Sequence, residues 1–211
     1  TRSAAGRQYP IFRRYAGGAP DGETLLDVNE LAAGQEFTRI GVFLPSYDGG
    51  MLAYSVDNDG SETYTLYFKD LVSGALIDQP IPNTYYGAAW SDDGRTFFYT
   101  TLDDAKRPYR VYRHTLGADP AADQLVYEES DQFYHLSVAA TLSRAYILIT
   151  SHSNTTTEVR AIPAVSPGTA PVVLLPRRHK VEYTAYHGGE YFYFLTNDQA
   201  LNFRVLRAPV A

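Results

Sequence analysis

The sequence predicts an all-β fold: a partial β-propeller of about four four-stranded antiparallel blades, with one short helix near the N-terminus. Three observations carry this reading. An apolar five-residue run recurs at intervals of roughly 45 to 50 residues, the period of propeller blades. Each run is followed by a polar turn and another strand-like segment, the layout of hairpin-linked antiparallel strands. The composition also suits strands, with 18 Tyr and 10 Phe in 211 residues, because aromatic and β-branched side chains fit a pleated, half-buried surface.

The elements follow in order. Residues 8–14 (Gln-Tyr-Pro-Ile-Phe-Arg-Arg) read as a strand, and residues 16–22 (Ala-Gly-Gly-Ala-Pro-Asp-Gly) as a loop. Residues 25–32 (Leu-Leu-Asp-Val-Asn-Glu-Leu-Ala) read as the short helix; Asp27 and Glu30 have capping-box spacing and Gly34 stands where it would stop. Residues 1–35 therefore form a lead-in. The repeats are centred near Tyr54, Tyr99, Ile149 and Leu195, within the runs Met-Leu-Ala-Tyr-Ser, Thr-Phe-Phe-Tyr-Thr, Tyr-Ile-Leu-Ile-Thr and Phe-Tyr-Phe-Leu-Thr. Asp48-Gly49-Gly50 and Asp92-Asp93-Gly94 precede the first two runs as turns. His187-Gly188-Gly189 does so one residue early, and Leu142-Ser143-Arg144 lacks the glycine.

After each run a polar turn leads to a third strand at residues 64–68, 109–112, 158–162 and 202–206. Three units add a fourth, at residues 75–77, 124–127 and 172–175. Short runs such as Ala88-Ala89-Trp90 and Leu136-Ser137-Val138 supply the first strand of a unit. Central runs that are apolar on both faces fit blades sandwiched between neighbours, and shorter, more polar fourth strands fit outer edges. A two-domain sandwich is the competing architecture, and the regular period argues against it. The whole of residues 1–211 reads as a single domain.

Composition narrows the function classes. Hydrophobic residues make up 45% and charged residues 20%, an ordinary globular balance. The net charge is −6 with scattered basic residues, which disfavours a nucleic-acid binder. Without cysteine there is no disulfide, thiolate metal site or Cys nucleophile. No apolar run reaches the ~18 residues of a membrane span, and residues 1–7 lack a signal-peptide h-region; the location expected is cytoplasmic. The start at Thr1 without Met leads us to expect the interior of a longer chain.

The candidate chemistry is sparse. No Gly-x-Ser-x-Gly elbow occurs, and the five histidines stand singly, with no His-Glu-x-x-His. No metal or cofactor site is predicted. Residues 57–62 (Asp-Asn-Asp-Gly-Ser-Glu) superficially resemble a calcium loop, but Leu66 stands where the bidentate Glu belongs; an Asp-Gly hairpin turn is the better reading. Asn154-Thr155-Thr156 is a glycosylation sequon by pattern alone. Residues 176–180 (Pro-Arg-Arg-His-Lys) form the densest basic cluster, and residues 128–131 (Glu-Glu-Ser-Asp) an acidic turn. Each is a solvated turn or, if both lie on one rim, a pairing surface for another domain. Arg113, Glu128, Glu129, Arg177 and Arg178 are the candidate docking residues.

Residues 107–117 (Arg-Pro-Tyr-Arg-Val-Tyr-Arg-His-Thr-Leu-Gly) followed by 125–129 (Leu-Val-Tyr-Glu-Glu) resemble the propeller of the oligopeptidase B, or protease II, group of the prolyl oligopeptidase family of serine peptidases. Collinear likenesses at residues 8–11, 25–32, 155–160, 175–178, 182–183 and 202–203 extend the resemblance over nearly the whole chain. It implies a seven-bladed propeller capping an α/β-hydrolase domain, of which this chain holds about the first four blades. It also implies a parent that cleaves short basic peptides after Arg or Lys by acyl-enzyme chemistry, with the propeller as a size filter. The triad, oxyanion donors and specificity residues would lie in the hydrolase domain, so this fragment is expected to be inactive alone. The rival reading is a stand-alone propeller that binds a peptide, sugar or protein. An open arc would expose the apolar faces of its end blades, so self-association of the isolated chain is also expected.

Overall fold

The computed structural model describes residues 1, 5–15 and 22–210. The loop expected at residues 16–22 lies outside these, apart from Gly22. Four antiparallel blades follow one another, each ordered by chain. The first contains β3 (Arg39–Pro45), β4 (Met51–Asp57) and β5 (Tyr64–Asp70), preceded in the chain by β1 (Ile11–Arg14) and β2 (Glu23–Asp27). The second contains β6 (Ile81–Trp90), β7 (Thr96–Leu102), β8 (Pro108–Thr115) and β9 (Gln124–Glu128). The third contains β10 (His135–Ala140), β11 (Tyr146–His152), β12 (Thr157–Pro163) and β13 (Val172–Leu175). The fourth has three strands, in keeping with the lack of a further run after residues 202–206: β14 (Tyr183–Gly188), β15 (Tyr191–Thr196) and β16 (Arg204–Pro209). First strands neighbour one another from blade to blade, β3 beside β6 and β6 beside β10, and the Trp90 indole donates to the Leu44 carbonyl at 2.9 Å.

The period-two alternation of the second strands builds the core. In β4, Ala53 faces the second blade with Val42, Leu66 and Phe68. Its neighbours Leu52, Tyr54 and Val56 face the other way. In β7, Phe97 and Tyr99 pack on the first blade while Phe98 packs on the third, against Ile147 and Ile149 of β11. Tyr146 and Leu148 of β11 then meet Phe192 and Phe194 of β15. The central strands β7 and β11 are thus apolar on both faces because each has a blade on both sides. Burying one such side chain contributes about 1.5–3 kcal/mol.

The hairpins that start each second strand share one construction. Ser46 and Ser91 close the turn through backbone bonds to Met51 and Thr96, and Asp48 and Asp93 accept from the turn amides. Gly49 and Gly94 take φ of +75° and +63°, the left-handed region glycine enters without steric cost. In the third blade Arg144 occupies that place at φ +61°.

Two expected elements are corrected. The helix spans four residues, Val28–Leu31, because Leu25 and Leu26 belong to β2, which pairs with β1 through Leu26 and Asp27 on one side of a register shift and Glu23 and Thr24 on the other. Asp27 does cap it, but its carboxylate accepts from the Asn29 backbone and side-chain amides, and Glu30 does not complete a capping box. Asn29 is held further by exchanging bonds with the Tyr9 backbone. Residues 75–77 are not a regular strand: they meet β5 through one bridge, Lys69 to Leu76, and flanking backbone bonds. The outer edge of the first blade then continues as the start of β6, where Ile81 and Thr84 pair with Leu66 and Tyr64. The far end of β6 pairs with β7. This one strand is therefore the outer edge of one blade and the first strand of the next.

The two ends of the arc differ. The outer face of the first blade is covered by β1, β2 and the helix, with Leu25, Leu26 and Val28 buried on Leu52, Tyr54 and Val56. On the fourth blade Tyr186, Leu195 and Val205 are exposed.

Candidate functional site

The acidic turn and the basic cluster lie on one rim and meet there. β9 ends at Glu128, and the ladder continues one step further, the Glu129 amide donating to the Tyr109 carbonyl at 2.8 Å. This turns the Glu129 side chain inward, where it is 3% exposed. Its carboxylate accepts from Arg177 Nη2 at 2.6 Å, from the Ser151 hydroxyl, from the Asp131 amide at 3.1 Å and from the Tyr127 hydroxyl at 3.2 Å. Arg177 also reaches Glu158 Oε1 at 3.3 Å and lies over the Tyr134 ring at 4.1 Å. A buried carboxylate is tolerated because its acceptor sites are filled by donors, one of them cationic. Burial alone would push Glu129 upward, but the bonds from Arg177 and Ser151 outweigh it and hold the carboxyl below its ordinary range. Desolvation alone would lower Arg177, but the bonds and charges of Glu129 and Glu158 outweigh it and push it upward.

Arg107 frames the turn from below. It pairs with Asp103 at 2.9 Å, and its Nη1 donates to the carbonyls of Glu129, Asp131 and Tyr134 at 2.9–3.2 Å. Arg160 stacks on Tyr127 at 3.9 Å and lies 2.6 Å from Glu158, with Nη1 left outside good hydrogen-bond geometry. Arg107, Ser151 and Glu158 were not singled out by sequence. The trace that could have found Ser151 is a hydroxyl at the end of an apolar run.

The other expected docking residues stand apart from this cluster. Glu128 pairs with Arg110 at 2.6 Å on the outer edge, with side chains 40% and 36% exposed. Arg178 pairs with Asp198 at 2.7 Å and is 55% exposed. Arg113 lies toward the opposite rim, bonding the Pro167 carbonyl and Gln124. Beside the acidic turn, residues 131–135, 153–156 and His179 line a cleft of about 500 Å³.

The remaining candidates resolve into structure. Asp57 accepts from the amides of Asp59, Gly60 and Glu62, the use of a hairpin-turn carboxylate. His187 Nδ1 lies 2.8 Å from Ser143 Oγ, yet among the described residues no carboxylate is bonded to His187 to orient it as a base. Among the described residues no cluster of His, Cys, Asp or Glu has a metal-holding arrangement, and no helix is long and apolar enough to cross a membrane. His114 is enclosed between Asp78 and Asp123.

Comparison with known proteins adds three findings. The family model described as "Prolyl oligopeptidase, N-terminal beta-propeller domain" matches residues 1–211. Protease 2 of Moraxella lacunata is 36% identical over 97% of this chain, and Dipeptidyl aminopeptidase BI of Pseudoxanthomonas mexicana is 36% identical over 99%. The chain spans 31% of the length of each of these relatives. The structure of oligopeptidase B from Leishmania major superposes with a TM-score of 0.86 at 27% identity, covering 94% of this chain and 29% of that one.

Proposed function

The chain belongs to the prolyl oligopeptidase family, as part of its N-terminal β-propeller domain, and on that premise we propose that it is the non-catalytic, gating part of a serine oligopeptidase. In this reading an α/β-hydrolase domain of the same polypeptide carries the triad, and the propeller limits what reaches it. Residues 1–211 form one partial propeller domain, with 1–35 as its lead-in. The parent is a cytoplasmic enzyme that cleaves short peptides after Arg or Lys. The observation that carries the reading is the family match over the full chain, joined to blades whose polar clusters are spent on holding one another. The likeness to Protease 2 supports peptide-bond hydrolysis by the parent. The equal likeness to a dipeptidyl aminopeptidase keeps release of N-terminal dipeptides as the second reading of the parent's specificity.

The five docking candidates keep their proposed role, and their surroundings rank them. Glu128 and Arg178 are exposed enough to exchange partners, whereas Glu129 and Arg177 would act by shaping the rim on which they sit. The isolated chain is proposed to self-associate through the bare face of the fourth blade. The deciding experiment uses the longer protein that carries this chain. It should hydrolyse a short peptide with Arg or Lys before the cleaved bond and leave a folded protein intact. Disruption of the propeller should relax that size limit. Equal turnover of short peptides and folded proteins by the intact enzyme would overturn the gating role. Failure to cleave any peptide, with retained binding of one by the propeller, would favour a binding module instead.

A further inference from the structure

The seam between the first and second blades encloses a histidine that the peptidase reading does not use. His114, on β8, is 0% exposed. Its Nδ1 lies 2.7 Å from Asp123 Oδ1 and its Nε2 3.2 Å from Asp78 Oδ2. The ring stacks on Phe68 of β5 at 5.1 Å and 14°. The free oxygens of both carboxylates are also occupied: Asp78 accepts from the Gly117 amide at 2.9 Å and Asp123 from the Tyr99 hydroxyl at 2.8 Å. The neighbouring Arg113 points to Pro167 and Gln124 instead. Asp78, Asp123 and the Tyr99 phenol are therefore the titratable groups that face this ring.

A neutral imidazole carries one N–H and one lone pair. In either tautomer, one ring nitrogen would present its lone pair to a carboxylate, which has lone pairs alone to offer. Each oxygen not facing the ring already accepts from a neutral donor, which leaves the two ring-facing oxygens to accept from the imidazole. The imidazolium is the form that donates to both. Asp78 belongs to the outer edge of the first blade and Asp123 leads into the outer strand of the second. We propose that His114 is held as an imidazolium at neutral pH and acts as a cationic pin across this seam, released as the solution turns alkaline.

The sign follows from linkage. Burial alone would lower the histidine, but the bonds and charges of Asp123 and Asp78 outweigh it and raise it above 6.5. Its stabilisation is fully present below that ordinary value and is lost as pH rises through the raised one. The next seam responds in the opposite sense. Glu129 lies below its ordinary range, so its contribution is present above that range and is lost as pH falls through the lowered value. Neutral solution closes both seams.

The test is nitrogen NMR of the His114 ring in the 211-residue chain, with hydrogen exchange corrected for its intrinsic pH dependence. Two ring protons at pH 7 and a midpoint above 6.5 are expected. Protection of the Gly117 and Ile77 amides should fall by up to about tenfold per pH unit between 6.5 and that midpoint, the slope of one linked proton, and level off above it. Asp78→Asn and Asp123→Asn should each lower the midpoint. His114→Gln should abolish the alkaline loss of protection while leaving the acid response of the Glu129 seam. Because His114→Gln removes a buried group and can unfold the chain, the wild-type titration stands as an independent arm. A single ring proton at pH 7, a midpoint at or below 6.5, or protection that ignores the titration would each overturn the pin.

Discussion

The first and fourth blades carry the same kind of sheet and treat its outer face in opposite ways. On the first, Leu25, Leu26 and Val28 from the lead-in bury Leu52, Tyr54 and Val56. On the fourth, Tyr186, Leu195 and Val205 stand open beside a three-stranded sheet. The lesson is that a blade face needs an apolar cover but not a whole blade. A two-stranded hairpin and one helical turn suffice, because hydrophobic burial depends on area removed from water and not on the identity of the cover.

Breaking the covered end should give the largest effect. Leu26→Asp places a carboxylate among apolar neighbours and should lower the unfolding free energy by about 3–5 kcal/mol in urea titration. Leu195→Asp on the bare end should change it by less than about 0.5 kcal/mol. The same substitution should disperse the isolated chain in light scattering; a species that stays associated would locate the contact elsewhere.

The interior seams fall between these extremes. Glu129→Gln removes the charge that faces Arg177 while keeping an acceptor in place, and should cost about 1.5–3 kcal/mol. It should also flatten the loss of stability that the parent shows as pH falls, measured by thermal unfolding across the acid range. Gly87→Ala should cost about 1–3 kcal/mol, since an added Cβ would sit 2.9 Å from the Val138 amide nitrogen of the adjoining blade. Arg144→Gly should have an effect as small as that of Leu195→Asp. Relief of its left-handed backbone, about 1 kcal/mol, is set against the loss of its stacking over Tyr47 at 4.4 Å, about 0.5–1 kcal/mol. A net change beyond about 1 kcal/mol would show that Arg144 does more on that rim than stack.

What could be read from sequence tracks how local the cause is. Runs such as Phe97-Phe98-Tyr99 announce a strand buried on both faces, and Asp-Gly turns announce the hairpins before it. Leu25-Leu26-Asp27 misled for the complementary reason. The helical cues at Asp27 and Glu30 are local, while the pairing of Leu26 with Phe12 that makes this segment a strand spans a loop. In hindsight residues 9–14 and 25–26 repeat the pattern of residues 109–114 and 125–126, so β1 and β2 match the third and fourth strands of a blade. The basic and acidic turns were visible as charge runs. That Arg177 would close on Glu129, Ser151 and Glu158 depends on blade stacking, which no local pattern records. The enclosure of His114 by Asp78 and Asp123 was hidden in the same way.

The strand shared between the first two blades has a mechanical consequence. Because β6 is hydrogen-bonded to β5 along one part and to β7 along another, a load that pulls these blades apart acts on ladder bonds and an unbroken backbone. The later junctions, at residues 129–134 and 176–182, are irregular segments between separate sheets. Under tension the first two blades should therefore travel as one plate, and the arc should flex at the joints that follow it.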